Sequence, residues 1–394
     1  MLIVPIEESA PGMRLAMPIT HPDNPRQELL RRGFVLDQPC HARIRELGIR
    51  WIYVDYPGLQ DLDRHLAATL SPERQTLYCQ LKAALVHFEK NTQPTVDYWD
   101  YYSTTRDFLT TLLAGGPHPI YLETLSQNLG GGAVEHGLAV AHLALCLGLR
   151  LEAYLVRERK TLNTAQAKDI VNLGVAGMLH DLGKTRIPAR LRAAHALNAP
   201  ENDSARSEWE SHPAHGYEML RNTIKPTAAS AVLNHHQHFD GTGFPRTTPS
   251  GTPLEKDGQA IHVYARILCA ADLFDRLTLA EDGRSRRSNL EVLHLMRERY
   301  ADRLDPEILA ALPKVVPPFP PGSRVTLSDG RTAVVTDMEP EHPYRPAVRC
   351  FTDDGQSLES EAIRLRTCPD LSICEVGGFP VGDTVPELAT AGAD

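Results

Sequence analysis

Between residues 133 and 312, five helical segments each set histidine or aspartate among apolar neighbours. No other feature constrains the fold as much. An ionised carboxylate is expensive to bury unless it is paired or bound to a metal, so the fold must bring these residues to one another. The stretch MLHDLGK (178–184) shows the problem plainly. His180 and Asp181 stand side by side at the end of an apolar run, with Lys184 three residues on.

The first segment, AVEHGLAVAHLALCLGL (133–149), carries His136 in its opening turn. The second reads as one helix from about Asn163 to Leu182. Asn163 and Gln166 suggest a capping box, and Gly183 a C-terminal cap. The third starts near Ser207 and carries His212. The fourth begins at Pro226, a favoured first-turn residue, and ends in His235-His236. A glycine-rich loop, QHFDGTGFP (237–245), follows it. The fifth runs from about Gly258 to Ala280 and holds Asp272 among Leu268, Cys269, Ala271 and Phe274. A surface pair between Asp272 and Arg276 is the ordinary alternative for that carboxylate.

Together, His136, His180, Asp181, His212, His235, His236 and Asp272 offer five imidazoles and two carboxylates. That set suits a borderline metal such as iron, manganese or zinc. One aspartate can bridge two ions, and two ions ~4 Å apart hold a phosphate and activate a water. Phosphodiester hydrolysis is the chemistry that follows. His142, His215, His238 and His262 read as core or surface residues instead.

Around this block the chain divides by composition. At about 150 residues per domain, 394 residues suggest two or three domains. Residues 1–60 read as β-rich, from LIVPI, GFVL and WIYVDY. Residues 61–125 read as a helical connector, with Leu62, Leu66, Leu70, Leu77, Leu81 and Leu85 at helical spacing. PKVVPPFPP (313–321) reads as a linker. Residues 322–376 read as a small β domain opened by an Asp-Gly hairpin, and 377–394 as a flexible tail. The net charge of −9 argues against a general nucleic-acid binder. Seven scattered cysteines without a Cys-x-x-Cys read as reduced thiols. No apolar run approaches the ~20 residues of a membrane helix, and no signal peptide opens the chain. The expectation is a cytoplasmic protein with no membrane partner.

Five motifs then carry a resemblance: HGLAV (136–140), HDLGK (180–184), HPAHG (212–216), HHQHFDGTGFP (235–245) and ADLFDRLT (271–278). In order and spacing they resemble the HD-GYP family, a branch of the HD-domain metal-dependent phosphohydrolases. The resemblance implies a mainly α fold. An all-helical HD-type core over 126–313 would follow a small β-rich N-terminal domain and precede a small β extension. PGMRLAMPI…LGIRWIYVD and PGSRVTLSDGRTAVV…PAVRCFTDDG resemble the accessory modules. It implies hydrolysis of cyclic di-GMP to pGpG or GMP by a hydroxide bridging two divalent metals, usually iron, with manganese the alternative. Carried over, His136, His180, Asp181 and Asp272 would hold one ion. Asp181 would bridge to the second, held also by His212, His235 and His236. Lys184 would contact a substrate phosphate or the attacking water. As a plain helix-end cation, Lys184 would only complement the dipole.

Departures from the family pattern fall around the substrate. The family's Gly-Tyr-Pro is Gly243-Phe244-Pro245, and the glutamate after His-His is Gln237. Gly132 replaces a glutamate that helps hold a third metal in some members, so two ions are expected, and Glu135 should point elsewhere. The Arg-Pro-Tyr stretch after ADLFDRLT is replaced by LAEDGRSRRSN, where Arg284, Arg286 or Arg287 would supply the phosphate-binding cation. Asp240, Gly243 and Phe244 would shape a loop over the substrate. A second reading is a cyclic di-GMP receptor or interaction protein with weak or no catalysis. A third is another cyclic dinucleotide or nucleotide phosphate as substrate. Expected partners are cyclic di-GMP, a second copy of the chain through 61–125, and a diguanylate cyclase or other signalling protein.

Overall fold

His136 to Leu149 are buried without interruption, the behaviour of a helix apolar on every side at the centre of a bundle. This is seen in a computed structural model. It describes residues 1–21, 24–47, 49, 51–59, 71–90, 96–116, 119–122, 132–195, 197–248, 250–254, 256–279, 287–352, 357–376 and 379–382.

The N-terminal unit holds β1 (Leu2–Pro5), β2 (Ile19–His21), β3 (Asn24–Leu30), α1 (Gln38–Glu46) and β4 (Trp51–Val54). β1 pairs antiparallel with β4, from Leu2 opposite Val54 to Pro5 opposite Trp51, and β2 pairs with β3. The β-rich expectation is corrected in two places. GFVL forms no strand, only a bridge from Val35 to Arg14. A helix follows it, because the Asp37 carboxylate accepts from Cys40 N at 2.8 Å and caps α1.

Next come α2 (Pro72–Lys90) and α3 (Tyr98–Ala114), then α4 (Ala133–Arg150), α5 (Glu152–Glu158), α6 (Thr164–Lys168) and α7 (Val171–Leu179). They are followed by α8 (Asp203–Glu210), α9 (His212–Leu220), α10 (Pro226–Asn234), α11 (Val263–Thr278), α12 (Asn289–Arg299) and α13 (Pro306–Val315). Of the leucines expected to face the core along 61–125, Leu77 and Leu81 are buried, while Leu62, Leu66 and Leu70 lie outside the described residues. One continuous core unites α2, α3, α4, α7, α10, α11 and α13 around residues such as Leu145, Val175, Val232, Ile267 and Leu312. By length and composition α4 could cross a membrane, yet 78% of it is buried inside the protein.

A six-stranded antiparallel sheet ends the chain, in the order β10-β9-β5-β6-β7-β8. Its strands are β5 (Arg324–Leu327), β6 (Thr332–Asp337), β7 (Ala347–Cys350), β8 (Ile363–Arg364), β9 (Ile373–Val376) and β10 (Phe379–Pro380). Asp329-Gly330 joins β5 to β6 as the hairpin signal requires. The linker expectation for 313–321 is corrected. α13 runs through Pro313 to Val315, and Val316 and Phe319 are buried, so apolar packing holds this segment in place. Phe379 and Pro380, part of the expected tail, pair with β9; 377–378 and 383–394 lie outside the described residues. The two β units touch: Ile3 N donates to Gly322 O at 3.1 Å, and Arg349 Nη1 donates to Gly58 O at 2.6 Å.

Candidate metal centre

Helix ends build the site. The single helix expected over 163–182 is two. Asn163 caps α6 by accepting from Gln166 N at 2.9 Å. Arg159 Nη1 then donates to the carbonyls of Gln166, Ala167 and Asp169, closing that helix. The Asp169 carboxylate starts α7 by accepting from Val171 N at 3.1 Å. His180 stands at the C-terminus of α7, and Asp181 turns the chain into a 3-10 helix, Leu182–Arg186. Gly183 therefore does not cap a helix. A Cβ there would lie 1.9 Å from His212 O and 2.5 Å from Gly216 N, so only glycine lets α9 come close enough to bring His212 to Asp181. The third expected helix is likewise divided. Asn202 caps α8, and His212 opens α9 rather than sitting inside α8. α11 begins at Val263, after His262 accepts from Tyr264 N; α10 begins at Pro226, as its sequence suggests.

The histidines are oriented from behind. His180, His212 and His235 each turn Nδ1 onto the carbonyl three residues back, of Gly177 (2.7 Å), Trp209 (2.7 Å) and Val232 (2.6 Å). A carbonyl only accepts, so Nδ1 carries the proton and Nε2 presents a lone pair. His136 is fixed by a carboxylate instead, with Nδ1 2.6 Å from Asp275 Oδ2. This is how metal-ligating imidazoles are held.

The forward-facing atoms converge. Asp181 Oδ1 lies 3.3 Å from His212 Nε2 and 3.8 Å from His235 Nε2. Asp181 Oδ2 lies 3.6 Å from Nε2 of both His136 and His180. Asp272 Oδ1 lies 2.9 Å from His136 Nε2, and Oδ2 lies 3.9 Å from His236 Nδ1. Two groups that could hold a metal ion result: Asp181, His212, His235 and His236, and His136, His180 and Asp181. They share Asp181.

The donor chemistry fits two divalent cations. Asp181 Oδ1 and Nε2 of His212, His235 and His236 are buried without a hydrogen-bond partner among the described residues. Nε2 of His136 and His180 face each other at 3.1 Å, and two lone pairs at that distance repel unless a proton or a metal ion lies between them. Charge agrees. Burial pushes the Asp181 carboxyl up, but Lys184 and the neighbouring imidazoles outweigh it and hold the group well below the usual range. Asp272 is pushed up by burial and held well below that range by His136 and His180. Burial lowers His212, lowers His235 to about 3 and lowers His236 well below its ordinary value. These imidazoles are neutral ligands at neutral pH.

The other expected residues are distributed as follows. Lys184 Nζ lies 2.7 Å from Asp181 Oδ2. Asp240 is exposed, and its carboxylate accepts from Thr242 N and Oγ1. Gly243 is a close-approach position, since a Cβ would lie 2.3 Å from His236 O. The Phe244 ring stacks on His236 at 4.5 Å and packs on Trp209, so it forms part of the wall beside the centre. Gln237 is not at the pocket edge: it is buried and donates to Pro245 O at 2.6 Å, which a glutamate carboxylate could not do. Arg287 Nη1 donates to the carbonyls of Leu277 and Leu279, closing α11. Arg284 and Arg286 lie outside the described residues. Glu135 accepts from Tyr78 OH at 3.0 Å, and its carboxylate folds back over Gly132.

Two functional residues escape the sequence reading. Asp275, which anchors His136, is one turn past Asp272, a spacing that does signal a shared helix face. Arg276 does not make the surface pair with Asp272 that stood as the alternative to metal ligation. Asp272 is only 5% exposed, and Arg276 reaches Asp181 as well, at 2.9 Å.

Comparison with known proteins agrees with this geometry. The HD domain matches residues 138–308, and the KOW domain associated with HD domains matches 324–376. The chain is 30% identical over 350 residues to the cyclic di-GMP phosphodiesterase PA4108 of Pseudomonas aeruginosa, covering 82% of this chain and 78% of that one. It is 30% identical to 3'3'-cGAMP-specific phosphodiesterase 3 of Vibrio cholerae over 38% of this chain and 30% of the relative. It is 34% identical to the cyclic di-GMP phosphodiesterase response regulator RpfG of Xanthomonas campestris over 32% of this chain and 31% of the relative. With five ordered motifs, a two-group histidine–aspartate centre and a relative matched along most of both chains, the protein belongs to the HD-GYP branch of the HD-domain phosphohydrolases.

Proposed function

We propose that this centre hydrolyses cyclic di-GMP to pGpG, GMP or both, using two divalent metal ions, iron or alternatively manganese. The carrying observation is the convergence of Asp181, His212, His235 and His236, each of which offers one ligand atom close to the others and buries a polar atom without a hydrogen-bond partner among the described residues. Similarity to a cyclic di-GMP phosphodiesterase along most of the chain supports the substrate. Catalysis belongs to residues 126–313, with 1–60, 61–125 and 322–376 as accessory parts. Seven free cysteines and bacterial relatives support a bacterial cytoplasmic setting.

His136, His180, Asp181 and Asp272 would hold one ion, and Asp181 with His212, His235 and His236 the other. Bound there, the ions supply Lewis-acid activation of water and neutralise charge at the phosphorus. Asp181 sets the spacing of the two groups because each of its oxygens serves one of them. Lys184 presents an ammonium to the phosphoryl oxygens, where a preplaced cation stabilises developing charge. Trp209 and Phe244, in a small apolar cluster with Ile187 and Leu191, exclude water behind His212 and His236. The loop held by Asp240 and Thr242 shapes the rim.

Anaerobic purification with metal analysis, followed by cyclic di-GMP turnover on the same sample, tests the reading. Two ions per chain with pGpG or GMP formed is the expected result; a chain that takes up no metal sinks it. The receptor reading draws on Arg287, whose guanidinium serves α11 carbonyls. Two ions and tight nucleotide binding without product would favour it. A panel containing 3'3'-cGAMP separates the substrates.

A further inference from the structure

Two cations share one oxygen at the centre. Lys184 Nζ and Arg276 Nη2 lie 2.7 and 2.9 Å from Asp181 Oδ2. Arg276 Nε also stands 3.6 Å from Asp272 Oδ1, and that nitrogen is buried without a hydrogen-bond partner among the described residues. The guanidinium thus sits between the two carboxylates that serve the metal-binding groups. It comes from α11, one turn past Asp272 and directly after Asp275. Its side chain is 16% exposed, so the head reaches the centre while keeping an opening to solvent.

We propose that Arg276 binds a phosphodiester of the substrate and is a specificity-determining residue of this enzyme. Two divalent ions in the donor set would more than neutralise Asp181 and Asp272. A guanidinium beside those oxygens is then repelled by the ions, and it holds its place only by pairing with an anion. A cyclic dinucleotide brings one negative charge on each phosphodiester. The planar fork of arginine matches two oxygens of such a group, which a lysine ammonium does not. Lys184 and Arg276 come from different elements, one from the 3-10 helix and one from α11, and meet at Asp181 Oδ2. Both therefore stand at the residue the two groups share. Among the described residues of the loop after α11, Arg287 is engaged at the helix end, which leaves Arg276 as the arginine placed at the centre.

The proposal rests on the phosphodiesterase reading, and its test separates the two. Full-length wild type, Arg276→Ala and Arg276→Lys are loaded with manganese, and metal content is measured. Binding of inorganic phosphate is then followed by calorimetry, and cyclic di-GMP turnover is measured in parallel. The three proteins should hold the same metal. Phosphate should bind about tenfold more weakly to the alanine variant, the scale of a lost charge-assisted pair, with lysine restoring only part. KM for cyclic di-GMP should rise about tenfold while kcat moves less. Unchanged phosphate affinity at equal metal content overturns the proposal. So does loss of metal from the alanine variant, which would make Arg276 a support of the donor set. Should the alanine variant not fold, wild-type phosphate affinity in the lysine variant overturns the fork. Phosphate binding that depends on Arg276, in a wild type that leaves cyclic di-GMP intact, would sustain the proposal and sink the substrate reading.

Discussion

His136 and His142 lie six residues apart on one helix, and both are buried, at 2% and 1% exposure. Only one is equipped as a ligand. His136 is gripped at Nδ1 by Asp275 and aims Nε2 at Asp272. Neither nitrogen of His142 has a hydrogen-bond partner among the described residues. Its ring meets the edges of Phe108 and Tyr121 at 5.2 and 5.0 Å. Burial alone therefore does not mark a metal ligand; fixing of the far nitrogen does. Within the centre a second contrast appears. His180, His212 and His235 are anchored by main-chain carbonyls, which no substitution at a partner removes. His136 is anchored by a side chain, which can be changed.

Asp181→Ala should have the largest effect, because each oxygen of this residue serves a different group. Both ions should be lost and turnover should fall to background, read by metal analysis and product chromatography. Two retained ions with full activity would break the assignment of the shared residue. Gly183→Ala comes next. The added Cβ meets main-chain atoms of His212 and Gly216, which cannot swing aside as a side chain would. A loss of about 1–3 kcal/mol in stability is expected, with weaker metal binding at the His212 group. Thermal unfolding and a metal titration read both; a wild-type melting curve would show that the close approach is not required.

Asp275→Asn tests the side-chain anchor. Loss of a partner behind a ligating histidine typically weakens metal affinity about 10–100-fold. The effect should fall on the His136 group and spare His212, His235 and His236, so a titration should resolve one weakened ion and one unchanged. Equal weakening of both would mean that the two anchoring modes are not independent.

Much of this was legible in the sequence, and the failures have physical causes. Six of the seven expected ligands fall in the two groups that could hold a metal, and Asp272 lies beside them at 2.9 Å from His136 Nε2, because a polar group in an apolar helix announces its own cost of burial. α10 was legible from Pro226. The break before α7 was missed, although Asp169 ahead of an apolar run is a start signal; the cation that closes α6, Arg159, is remote enough in sequence to hide its part. Gly183 read as a cap because its tertiary neighbour, the main chain of α9, leaves no local trace. Arg276 entered the sequence reading only as an alternative surface partner of Asp272, since i,i+4 spacing shows the helix face and not what faces it. PKVVPPFPP read as a linker from proline content, but burial of Ile308, Leu312 and Val315 holds α13 through Pro313 against its propensity.

The smallest predicted effect sharpens the opening contrast. Burial, helped by the charge of Arg74, lowers His142 from 6.5 to about 3. Below pH 6.5 the unfolded chain takes up a proton that the native imidazole refuses until about pH 3. Stability therefore falls as pH falls through that window, by up to about 1.4 kcal/mol per unit, and this residue contributes no dependence above it. The neutral histidines of the centre act in the same direction, so the informative quantity is the difference between wild type and His142→Leu. The variant should fold near wild-type stability at neutral pH, within about 1 kcal/mol, keep its metal, and lose stability less steeply on acidification. Calorimetric melting temperatures across the acid range read the difference directly. Parallel curves would mean that His142 finds a proton partner in the folded protein, and the distinction between a packed histidine and an anchored one would then have to rest on His136 and its neighbours alone.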